Sequence, residues 1–488
     1  MTHTFNWKMV FKTQGALLLI ESAFLLLPTL VAYLYHESDA YAFSVSTVIT
    51  ALCGLLSLRV GRHASKRVGE REGYVIVALV WVIFSLFGMM PFYLSGAIPS
   101  FTDAFFETMS GFTTTGASIL DNVEKLPHGM LFWRSLTQWI GGLGIVFFTI
   151  AILPSMVKGS VKVFAAEATG PIRSKLHPRL STGAKWIWVV YIVLTLACML
   201  SYMACGMDLF DAANYAMTST ATGGFSTTNG SLASFHSPAE EYVCTFFCFL
   251  AGINFMLLYI CVTRFKIKAL LKNAEFRFYI SMILIATIYI MVELMLRNHY
   301  DFERAFRVSI FQVVSFFTST GLFSDNAAEW PHVTWVVLAV LMFIGGMSGS
   351  TSGGIKSIRG VMLLKIVRNE FRQILHPNAV LPLKINGTNV TQSKRVTLLA
   401  FLTLYLILAV ICAFVMIMAG VDHTNSVTIT LSCMGNVGPT LGMEIGPTMS
   451  WAQLPEMVKW FCAFLMLVGR LELFSVLVLF TPAFWKEN

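Results

Sequence analysis

Met109-Ser110-Gly111-Phe112-Thr113-Thr114-Thr115-Gly116-Ala117-Ser118 is one of four places where an amphipathic stretch, opening near an acidic residue, runs into small residues that end in glycine. A long apolar stretch follows each time. The other three close on Thr220-Ala221-Thr222-Gly223, Thr318-Ser319-Thr320-Gly321 and Gly435-Asn436-Val437-Gly438. Glycines at 116, 223, 321 and 438 mark an internal repeat of about a hundred residues rather than one loop. Four such repeats can surround a single axis.

The 488-residue chain is 56% hydrophobic and only 12% charged, the balance of an integral membrane protein. Apolar runs of spanning length, about 20 residues, fall near 14–35, 41–58, 74–96, 131–153, 186–206, 239–263, 278–296, 332–347, 396–419 and 456–482. About ten spans are expected. The first run lacks a small-residue cleavage site and a second follows closely, so it reads as a retained helix.

Lys and Arg are held on the cytoplasmic side. Basic loops (Lys8 and Lys12; Arg59, Arg62, Lys66, Arg67 and Arg71; Lys158 to Lys185; Arg264 to Arg277; Lys356 to Arg395; Lys486) alternate with acidic ones that carry the four glycine-ended segments. The segments are therefore external, and both termini cytoplasmic. This rule accounts for the formal charge of +8 without nucleic acid as a partner. The nine cysteines lie mostly in apolar runs with no CxxC pair, which reads as packing. No histidine has metal-ligand spacing, and the carboxylates cluster outside the spans; no enzyme emerges.

Each repeat reads as a span, a half-helix dipping in from outside, the glycine-ended segment, and a second span. The half-helices begin near Asp103, Asp211, Asp301 to Glu303, and Asp422, where a carboxylate caps free amides and meets the positive dipole end. Their carbonyl ends point inward and favour a cation. Non-helical backbone at membrane depth requires protein cover or a water-filled path, so four such segments together line a pore. Rings of backbone carbonyls replace an ion's hydration shell. Hydroxyls of Thr113, Thr220 and Thr318 either add ligands or pack behind the loop.

The stretches MSGFTTTGAS, TSTATGGFSTTNGS, SFFTSTGLFSDN and SCMGNVGPTLGM resemble the four filter motifs of the TrkH/KtrB/HKT superfamily of potassium transporters, and the first two spans resemble the extra pair of its TrkH branch. The resemblance implies an all-α integral membrane fold. Four M1-P-M2 repeats (70–157, 183–268, 275–375 and 392–485) would surround one pseudo-fourfold pore, with an extra N-terminal helix pair at 1–69. It also implies filter strands Thr113 to Gly116, Thr220 to Gly223, Thr318 to Gly321 and Gly435 to Gly438, with glycine in all four favouring potassium. The fourth departs from Thr-x-Thr-Gly, so its carbonyls rather than hydroxyls are the expected ligands. A homodimer, and a cytoplasmic TrkA/KtrA-like ring that binds the nucleotide this chain does not, are further implications. So is a location in the bacterial plasma membrane.

Gly345-Gly346-Met347-Ser348-Gly349-Ser350-Thr351-Ser352-Gly353-Gly354 breaks a helix inside the membrane, which requires protein cover or water for the freed backbone. It nearly spells a phosphate-binding loop, but the residue before Lys356 is one too many and no strand precedes it. By resemblance it is the intramembrane loop, a gate beneath the filter. Arg470 sits mid-run at a cost of about 2.5–3.5 kcal/mol, so it faces protein or water. By resemblance it is a fixed positive barrier below the filter. Arg134, Gln138 and Asn254 read as interhelical glue. Two other functions remain open: the potassium-binding subunit of an ATP-driven pump, and a secondary transporter for a small solute. The latter class usually uses two repeats rather than four.

Overall fold

The computed structural model describes residues 5–64, 69–144, 180–442 and 449–486. The end of the run at 131–153, most of the basic stretch from Lys158 to Lys185, and Lys66 and Arg67 lie outside the described residues. Among the described residues, six helices are long and apolar enough to cross a membrane: Trp7–Leu34, Ala40–Val60, Glu70–Leu94, Lys185–Ala204, Ala274–Arg297 and Gln392–Met418. Their apolar residues divide between two directions. On Ala274–Arg297, Ile283, Ala286 and Ile290 are buried while Leu284, Ile285 and Ile288 are exposed, as expected where lipid rather than water covers the outer face.

The runs at 239–263 and 456–482, which the sequence presents as single spans, are each broken in two. Pro238–Ala251 turns by 100° into Phe255–Arg264, and Glu456–Arg470 by 116° into Leu473–Phe480. At the first break the Asn254 side chain accepts from the amides of Met256 and Leu257, capping a new helix. At the second, Glu472 takes a φ of +59°, outside the helical region. His128–Gly142 stops just before Gly144, whose φ is +84°, and His332–Ile344 stops at Gly345. Helices broken within apolar runs are thus a shared device of this fold and not the property of the glycine-rich stretch alone.

Between the long helices lie four short ones: Phe101–Phe112, Leu209–Ala221, Phe302–Phe317 and His423–Gly435. Asp208, Asp301 and Asp422 cap three of them through their own carboxylates. Ser100 caps the first by accepting from the Asp103 amide, and the Asp103 carboxylate instead receives Lys459 Nζ at 2.7 Å. In all four, the residues of the last two turns are buried, apart from the half-buried Leu431.

The first two helices pack closely through Gly15 and Gly54. A methyl on Gly15 would meet the Gly54 carbonyl oxygen at 2.7 Å, the small-residue contact that lets membrane helices approach. On the acidic side this pair is tied to the rest by His128 Nδ1, 2.8 Å from Glu37 Oε1, and by Tyr35, whose ring stacks on His128 at 3.9 Å. A two-residue hairpin, Lys384–Ile385 with Thr388–Asn389, turns through Asn386 and Gly387 at φ of +50° and +80°, the primed turn that suits tight hairpins.

Candidate functional site

The chain leaves each short helix through the same sequence of backbone states. Thr114, Ser319 and Asn436 have φ of +53°, +57° and +50°, and two residues later Gly116, Gly321 and Gly438 have +80°, +78° and +94°. In the second segment these states belong to Thr222 (+54°) and Gly224 (+84°). Amide bonds reaching five residues back agree: Thr115 to Ser110, Thr320 to Ser315 and Val437 to Ser432 correspond to Gly223 to Thr218. The sequence reading aligned Gly223 with the other three glycines; the structure puts Gly224 there and Gly223 level with Thr115. Two adjacent glycines made the registers equivalent by composition, and only the backbone angles separate them.

The four segments touch in cyclic order. A methyl on Gly116 would collide with the Gly223 carbonyl oxygen, on Gly224 with that of Thr320, on Gly321 with that of Val437, and on Gly438 with that of Thr115. Each glycine therefore admits the backbone of the next segment, and the last admits the first. Left-handed φ and close approach both require glycine here. The side chains of the ring are buried, Thr113, Thr115, Thr220, Thr222, Thr318, Thr320, Val437 and Asn436 each being 0% exposed, while Gly116 and Gly224 are half-buried.

Side chains behind the ring fix its position. Thr113 Oγ1 and Thr318 Oγ1 donate to the Met109 and Val314 carbonyls at 2.7 Å, and Thr220 Oγ1 to Ala216 at 2.7 Å. These hydroxyls pack against their own helices, the second of the two roles open to them. Gln138 Nε2 donates to the Gly223 carbonyl at 2.8 Å while its Oε1 accepts from the Phe225 amide at 3.0 Å. Asn436 Nδ2 donates to Thr115 Oγ1 at 3.0 Å and to the Met466 carbonyl at 2.9 Å, tying the irregular fourth segment to the first.

A carboxylate outside the expected spans is not thereby exposed. Glu107, 0% exposed, pairs with Arg134 at 2.9 Å and also accepts from Ser118 Oγ and the Ile119 amide. Arg134 continues to the Ser226 carbonyl at 2.9 Å and lies 4.2 Å from the Phe225 ring centroid. Arg134 and Gln138 thus join the first segment's surroundings to the second. Their spacing of one helical turn, both pointing off one face, is the signal in the sequence that would have linked them.

The glycine-rich stretch packs directly against these segments. Thr351 Oγ1 donates to the Thr220 carbonyl at 3.1 Å, the Gly353 amide to Ser319 Oγ at 2.5 Å, and the Gly354 amide to the Gly435 carbonyl at 2.9 Å. It also meets the break after Ala251, where the Met347 amide donates to Gly252 and the Phe255 amide to Gly349, both at 3.0 Å. Gly345, Gly349 and Gly354 take positive φ, as does Lys356, whose buried Nζ donates back to the Ser352 carbonyl. Arg470 completes the assembly: its guanidinium donates to the carbonyls of Thr351 (3.0 Å), Gly141 (2.6 Å) and Gly142 (2.7 Å). One cation thereby satisfies the broken end of His128–Gly142 and holds the loop. Gly346, Ser350 and Ser352 fill the interior of the same stretch, with Ser350 and Ser352 hydroxyls 2.7 Å apart.

Comparison with known proteins agrees with this architecture. The family model TrkH, described as a cation transport protein, matches residues 42–487. The Trk system potassium uptake protein TrkH of Halomonas elongata is 36% identical over 482 residues, 98% of this chain and 99% of that protein. The protein of the same name from Escherichia coli K12 is 34% identical over 487 residues, 99% of this chain and all of that one. The crystal structure of the potassium transporter TrkH from Vibrio parahaemolyticus superposes with a TM-score of 0.89 at 31% identity, covering 99% of this chain and 100% of that one.

Proposed function

Since the chain belongs to the TrkH family of cation transport proteins, ion transporters and not enzymes, we propose that it takes up potassium by conducting the ion through the ring of four segments. The observation that carries this reading is the closed cycle of contacts from Gly116 to Gly223, Gly224 to Thr320, Gly321 to Val437 and Gly438 to Thr115. A cycle of four backbones leaves one axis. Four short helices end at it, and the negative ends of their dipoles favour a cation there. Segment carbonyls supply the ligands that replace water around potassium.

The order of long helix, short helix, segment and broken helix supports four M1-P-M2 repeats, with Trp7–Leu34 and Ala40–Val60 as the extra pair. The stretch from Gly345 to Gly354 is the gate, its bonds to three of the segments closing the path, and Arg470 is both its anchor and a barrier to cations. Charge distribution supports cytoplasmic termini in a bacterial inner membrane. The family resemblance supports a homodimer and a cytoplasmic nucleotide-binding ring, for which the basic helix Ser357–Leu375 offers a docking surface.

Purified protein in liposomes tests the reading. Rubidium, a potassium surrogate, should enter down its gradient and be blocked by excess potassium but much less by sodium. Flux that ignores potassium, or that requires an added organic solute, would contradict it.

A further inference from the structure

Glu275 is the second residue of the helix Ala274–Arg297, and it is 5% exposed. Its side chain does not bond within its own helix. Oε1 accepts the Ser348 amide at 2.6 Å and the Ile358 amide at 3.1 Å, and Oε2 accepts Ser348 Oγ at 3.1 Å. Ser348 lies in the entering limb of the intramembrane loop, before its bonds to the ring, and Ile358 lies in the first turn of the helix that leaves it. One carboxylate therefore clamps both limbs of the loop. All three partners are donors and a carboxylate only accepts, so the match is complete. The Ile358 amide is one of the free amides of a helix start, where negative charge is also favoured by the dipole.

The bonds to the ring lie between the clamped ends. Thr351, Gly353 and Gly354 reach the segments, and their positions depend on where the two limbs are held. We propose that Glu275 is the latch of the intramembrane loop, a positioning residue that holds the loop shut by both ends and so sets the balance between closed and open pathway. This rests on reading the loop as the gate.

Rubidium uptake into liposomes by the full-length chain tests it, with each variant first checked for a monodisperse, wild-type elution profile. Glu275→Ala removes all three bonds and should raise basal flux about tenfold, since bonds to charged groups are among the stronger ones lost from the closed state. Glu275→Gln keeps an oxygen for the two amides and an NH2 that Ser348 Oγ can accept, and should stay within about twofold of wild type. Ser348→Ala removes only the hydroxyl bond and should give a smaller rise, which also covers the case in which Glu275→Ala fails to fold. A merely structural role would lower flux in Glu275→Ala, and flux at or below wild type in folded Glu275→Ala or Ser348→Ala overturns the latch. Deleting part of the loop between Gly345 and Gly354 separates this from the gate itself. A rise with the deletion alone refutes the latch and leaves the gate standing, whereas no rise in any folded variant refutes both.

Discussion

At Gly116 a side chain would have to sit at a φ of +80° and overlap the Gly223 carbonyl oxygen. Non-glycine residues in such backbone states cost about 1–3 kcal/mol, and the overlap is relieved only by moving two segments apart. Gly116→Ser should therefore fold yet lose about tenfold in discrimination of rubidium from sodium, a change of about 1.4 kcal/mol, read as the ratio of the two fluxes in liposomes. Gly224→Ala should behave alike, because its obstacle is the Thr320 backbone. Gly223→Ala differs: its obstacle is the Gln138 side chain, so adding Gln138→Ala should restore much of its selectivity but none of that lost in Gly224→Ala. A double mutant that rescues both, or neither, would contradict the register described here. The recurrence of glycine was legible in the sequence because composition carries it. The choice between Gly223 and Gly224 was not, because it depends on a backbone angle that adjacent glycines accept equally.

Among the elements, the broken helices matter most. The stretch from Gly345 to Gly354 was legible as a break since glycine and serine spell it, whereas the helix ends at Gly142, Ala251 and Arg470 lay inside mostly apolar runs whose few polar residues, Asn254 and Arg470 among them, did not by themselves mark a break. What the sequence lacked there was the tertiary partner: Arg470 satisfies the Gly141 and Gly142 carbonyls, and the loop supplies partners at Gly252 and Phe255, so no local breaker is required. Deleting part of the loop between Gly345 and Gly354 should raise rubidium flux while leaving the elution profile unchanged; reduced flux in a folded protein would argue against a gate. The pair Glu107 and Arg134 is likewise invisible to local pattern, being 27 residues apart and on two helices. Removing one member of a buried pair typically costs about 3–5 kcal/mol. Arg134→Met should therefore lower the thermal unfolding temperature in detergent markedly, and Arg134→Met combined with Glu107→Leu should recover part of the loss.

For the whole molecule, the attachment of the first helix pair carries a pH signature. Asp39 lies at the turn between Trp7–Leu34 and Ala40–Val60, where burial first, and then Glu37, push its carboxyl up to about 6, with His128 acting in the opposite direction. Asp208 and Asp211 stand on the neighbouring short helix, Asp211 itself raised by burial of its start. With a folded pKa above the ordinary value of 3.8, Asp39 binds more protons folded than unfolded across that window. Its contribution is greatest below the window and is lost as pH rises through about 6. Asp39→Asn should thus flatten the fall in unfolding temperature between pH 4.5 and 7, and an unchanged slope would show that Asp39 is not buried at this junction.

The central claim is that four segments close on one axis to select potassium. The most direct measurement is the reversal potential of single-protein currents in a planar bilayer, with potassium on one side and sodium on the other. The account predicts a potential near the potassium limit for the wild type and a shift toward zero in Gly116→Ser, Gly224→Ser, Gly321→Ser and Gly438→Ser alike. A wild-type potential near zero, or a shift confined to one of the four variants, would contradict a single filter built from all of them.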